Sequence, residues 1–154
     1  MPENVSSEVV DWHRSVAVES DKAAWTLVER GDLSNNERMQ LLTFASVARF
    51  HWSAVGDPST RAHAEMLFSL ALSRVGDGTH ALEAARSAYE YFDENAADDW
   101  ERAFAHAALA HAYHCTQDAT RHRMHHQAAD RLGSGLVDGK KSFFDATFQT
   151  IPAP

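Results

Sequence analysis

The chain has 154 residues, one cysteine (Cys115) and ten histidines, and its formal net charge is −8. A domain of this length buries roughly two thirds of its unfolded surface and folds without a staple, and a lone cysteine excludes an intrachain disulfide. Scattered basic residues in an acidic chain make nucleic acid a poor partner; no apolar run reaches the ~18 residues of a membrane helix, and the first residues lack a secretory leader's basic start and apolar core, so a cytoplasmic location is expected.

Apolar residues recur at spacings of three and four from end to end, which predicts helices throughout. The first runs from about Ser7 to Arg30, with Val9, Trp12, Val16 and Leu27 on its stripe, and Gly31 stops it. Ser34 and Glu37 form a capping box for the second, which carries Leu42, Phe44, Val47, Phe50 and Trp52. Gly56-Asp57-Pro58 ends that helix and caps a third, about Ser59 to Val75, whose Met66, Leu67, Phe68, Leu70 and Leu72 place apolar side chains on more than one side. A helix like that belongs between neighbours.

Gly76-Asp77-Gly78 turns the chain into a fourth helix, about Thr79 to Phe92, and Asp93 to Asp98 is a polar linker. A fifth helix is expected from about Asp99 to Thr116 and a sixth from about Asp118 to Leu132. Gly133-Ser134-Gly135 breaks the sixth, and a last helix spans about Val137 to Thr150 with Phe143, Phe144 and Phe148. The expected fold is therefore all-α and single-domain over 1–154. Its seven or so helices are joined by short connections that make neighbours antiparallel.

Residues Leu70 to Asp77 followed by Ala81 to Tyr89 resemble one tetratricopeptide (TPR) unit, with small Ala81 and Ala88 facing Ser69, and large Phe68 and Leu72. Leu109, Ala110, Tyr113, Gln117-Asp118, His122 and Ala129 form a second, degenerate copy 41 residues on, against a TPR period of about 34. The resemblance implies a right-handed stack of helix hairpins, with repeat-like units at about 59–92 and 99–132 and a C-terminal capping helix at about 137–150. The whole chain also resembles a group of bacterial TPR-like proteins, through Ala45, Arg49-Phe50-His51-Trp52, Val55-Gly56, Pro58, Glu65 and Ala103-Phe104-Ala105. Members often carry a histidine on the fourth helix and a glutamate on the fifth, where Ala84 and Ala107 stand here.

Three constellations are candidate sites. His51, Glu65 and His106 are polar residues at positions where a helix stack buries apolar ones; converging between helices, they would suit zinc, copper or nickel. The plainer reading is a buried hydrogen bond between His51 and Glu65. His122 and His126, one turn apart, are a second metal candidate beside His111, His114 and Cys115, in a stretch (Arg121 to His126) that gains charge in mild acid. The plainer reading there is a solvated polar face. The third is a groove on the concave face, lined by His63, Met66, Leu70, Arg74, Phe104, His111 and His114, which the last helix's phenylalanines either fill or leave open while capping the stack.

No nucleophile elbow and no His-Glu-x-x-His motif occurs, so no catalytic residues are assigned. The expectation is a non-catalytic interaction module that binds a protein or peptide in its concave face, with no cofactor and with homodimerisation open. The alternative is a helical domain that binds a metal or small ligand through interhelical His and Glu side chains.

Overall fold

The computed structural model describes residues 6–154. Among them are seven helices and no strand: α1 (Ser7–Val28), α2 (Asn35–Val55), α3 (Pro58–Arg74), α4 (Gly78–Glu94), α5 (Asp99–Cys115), α6 (Ala119–Ser134) and α7 (Asp138–Phe148). The starts follow local chemistry. Ser6 accepts from the Val9 amide, Ser34 and Glu37 complete their capping box, and Asp57 accepts from the Thr60 amide with Pro58 in the first turn. None of the described helices is long and apolar enough to cross a membrane.

Consecutive helices pack as hairpins, α1 on α2, α3 on α4 and α5 on α6, and α1, α3 and α5 also touch one another as a layer. The polar ties show the directions. His63 near the start of α3 meets Glu101 near the start of α5, and Ser73 near the end of α3 meets Cys115 at the end of α5, so these two helices run parallel. The α3–α4 and α5–α6 turns share one construction, 41 residues apart. The Asp77 and Asp118 amides donate 3.0 Å bonds to the Leu72 and Tyr113 carbonyls, and each aspartate caps the helix that follows. The residue before each aspartate has positive φ: Gly76 at 83° and Gln117 at 60°.

α5 is the centre. Nearly every residue from Ala103 to Tyr113 is buried, because alanines on all sides of the helix let α3, α4, α6 and α7 approach it closely. α3, expected between neighbours, does lie against α1, α2, α4 and α5. α7 folds back onto α5 and α6. Phe143 meets Phe104 at 4.8 Å and Trp25 of α1 at 4.9 Å, between ring centroids, and Phe144 meets Phe104 edge-on at 5.4 Å. Of the two places open to those phenylalanines, Phe143 and Phe144 take the inner one, against the floor of the expected groove.

One boundary differs instructively from expectation. Gly133 does not break α6, which continues to Ser134. The Phe144 ring lies where a Gly133 side chain would stand, so this glycine is a seat for α7 rather than a helix stop. Gly133→Ala must displace Phe144. It should lower stability by about 1–2 kcal/mol, even though alanine is worth roughly 1 kcal/mol more than glycine in a helix interior. A shift of the urea midpoint to higher concentration instead would show that α7 does not seat there.

Candidate functional site

The three residues proposed as a metal triad are not brought together. His51, at the end of α2, places its Nδ1 2.8 Å from Nδ1 of His13 on α1. Glu65 on α3 accepts a 2.7 Å bond from the Arg49 guanidinium, which lies over the Phe68 ring, so the expected His51–Glu65 bond is also absent. His106 on α5 meets His125 on α6, again Nδ1 to Nδ1, at 3.0 Å. The cause is register. In an antiparallel hairpin the side chains across the turn meet first, and an arginine one helical step from His51 takes the carboxylate.

The secondary pair does not converge either. His122 directs Nε2 at the Pro152 carbonyl, 2.8 Å away, while His126 lies along the Phe148 ring. His114 is exposed and meets His122 edge-on. Cys115 donates its thiol proton to the Ser73 carbonyl, and burial raises its pKa above the ordinary range, so it is a poor thiolate donor. Among the described residues no group of three or more His, Cys, Asp or Glu side chains gathers around one point.

The expected concave groove is also corrected. Met66, Leu70 and Phe104 are core residues, Phe104 with 0 % exposure, beneath α1 and α7. His63 bonds Glu101 at 2.8 Å and lies between the Phe92 and Trp100 rings, tying α3 to α5. Arg74 reaches the carbonyls of Val28, Arg30 and Gly31, supplying donors to the C-terminal end of α1. Arg74→Ala strips those carbonyls of their partner. It should cost about 1–2 kcal/mol, and hydrogen exchange should show the last turn of α1 opening first.

Two of the groove and triad histidines are held neutral. Burial, then the charge of Arg74, pushes the pKa of His111 down to about 3; burial, then His125, pushes His106 down to about 4. Unfolded, both titrate near 6.5, so below that pH the unfolded chain binds more protons and stability falls until the folded values are reached. From pH 7 to pH 5 His111 should cost about 2 kcal/mol, and half-buried His106 less. Urea midpoints measured over that range should fall, and His111→Phe should flatten the slope; an unchanged slope in that variant would exclude His111 as the origin.

What remains open lies on the other side of α3. A cleft of about 410 Å³ between α2, α3 and α4 is lined by Arg49, Glu65, Phe68, Leu72, His80, Glu83, Ala84 and Ser87. The space between α4, α5 and α6 is its counterpart 41 residues on. There Tyr113 stands for Leu72, His125 for Ala84 and His106 for Glu65. His125 stacks on Tyr113 with planes 8° apart while bonding His106, and these side chains fill the position. Ala84 and Leu72 leave the first position empty. Ala84 stood out in the sequence as a departure from the group the chain resembles, but only packing shows that the small side chain opens a cleft.

His13 was not foreseen at all. It and His51 each lie 19 residues from Asp32 in the α1–α2 turn, a spacing that pairs residues across an antiparallel hairpin. No family profile matches this chain, and neither a curated protein nor a solved structure matches it.

Proposed function

We propose that the chain is a non-catalytic, cytoplasmic interaction module of the TPR-like kind, and that it holds a short protein segment in the α2–α3–α4 cleft rather than on the α1–α3–α5 layer. The observation that carries this reading is the contrast between the two faces: α7 and Trp25 occupy the inner one, whereas the cleft is open. Its floor of Phe68, Leu72 and Ala84 suits an apolar side chain. Arg49 offsets Glu65 in their ion pair, leaving exposed Glu83 as the uncompensated charge on the rim beside His80. The segment that fits carries an apolar anchor next to a lysine or arginine.

The duplicated turn and the hairpin neighbours support the TPR-like reading of the architecture. Peptide display against the folded chain tests the function. Selected peptides should share an apolar residue beside a basic one. Ala84→Trp, which fills the cleft, should weaken their binding at least about tenfold, and Glu83→Lys should weaken it by a few-fold. Peptides that bind both variants as tightly as the parent, or a selection that yields none, would remove the cleft as the binding face.

A further inference from the structure

Two histidine pairs face each other through Nδ1, and they sit in different surroundings. The His106–His125 pair lies between Tyr89 and Tyr113, and Arg102, Arg131 and Arg121 bear on it with positive charge. A dication is disfavoured there, and a simple N–H···N hydrogen bond between neutral rings accounts for the contact.

The His13–His51 pair is at the free end of the α1–α2 hairpin. His51 is 8 % exposed, with Trp12 and Phe50 edge-on to its ring at 5.1 and 5.2 Å, and His13 is half-buried. Those aromatic edges hold the His51 ring in place. Burial and then His13 account for the downward push on His51, and the neighbouring cation in sequence, Arg14, is turned to Asp11 at 3.5 Å. Two imidazole nitrogens 2.8 Å apart, each about 2.05 Å from a shared metal, subtend roughly 85° at that metal. That is close to the right angle between adjacent ligands of a square-planar or octahedral centre, and well short of the tetrahedral angle zinc prefers.

We propose that His13 and His51 form a two-histidine chelate for a divalent transition metal of the copper(II) or nickel(II) type. The helices supply two adjacent positions through Nδ1, and the remaining positions are left to water or an exogenous donor. Binding requires both rings to be neutral and both Nδ1 atoms unprotonated, each ring carrying its proton on Nε2. The site is independent of the cleft between α2, α3 and α4, and a failure of peptide binding there leaves it untouched.

Untagged protein, stripped with chelator and loaded with one equivalent of copper(II) alone, tests it. Electron paramagnetic resonance should count two imidazole nitrogens on the copper. His13→Ala should remove one of them and weaken binding at least about tenfold, since even outer-shell losses at metal sites cost 10–100-fold. His106→Ala should leave both readouts unchanged. Far-UV circular dichroism of His13→Ala checks that the fold is retained, and the nitrogen count on the parent protein stands without any variant. Equal affinity in His13→Ala, an unchanged nitrogen count in that variant, or a parent spectrum without two imidazole nitrogens overturns the proposal.

Discussion

The close approach of helices to α5 is the constraint on which the rest of this structure depends. Alanine at positions 103, 105, 107, 108, 110 and 112 removes side-chain bulk from every side of one helix, and four other helices settle against it. Dense contact of that kind is where buried apolar area and dispersion accumulate. A single large ring, Phe104, fills the space the alanines leave on the inner side. Trp25 from α1 and Phe143 and Phe144 from α7 meet there, so the first and last helices are joined through one side chain on the fifth.

That closure decides which surfaces remain for function. A stack of hairpins with an open inner layer would present Met66, Leu70 and Arg74 to a partner. In this chain α1 and α7 are that layer's partners, and Arg74 spends its donors on the end of α1. The outer side differs, because successive hairpins there meet over shallow grooves whose depth depends on one or two residues. A histidine and a tyrosine fill the groove over α5, and an alanine and a leucine leave the groove over α3 open. Duplication of a structural unit thus produced two grooves of equal geometry and unequal content.

The histidines follow the same logic. Their number drew attention to metal chemistry, yet most are absorbed by ordinary packing: His63 on Glu101 and Trp100, His122 on a carbonyl of the C-terminal segment, His111 in the core as a neutral ring. Burial makes each uncharged form the stable one, so these residues contribute polarity without charge in a chain that already carries a net −8. His13 and His51 differ in lying at an open helix end, where two Nδ1 atoms face each other away from the arginines that surround the other pair.

The helical class, the number of helices and nearly every start were legible in the residues themselves. A serine or aspartate before an apolar period acts on amides three residues away, and such local chemistry needs no knowledge of the rest of the chain. The repeat of 41 residues was legible too, since Leu72 and Tyr113, or Asp77 and Asp118, recur in register. The course of α6 through Gly133, the burial of Met66 and Phe104, and the pairing of His51 with His13 rather than Glu65 were decided by tertiary structure alone. Each depends on which side chain arrives from a distant element, and that is set by how closely helices can approach rather than by any property of the residue itself.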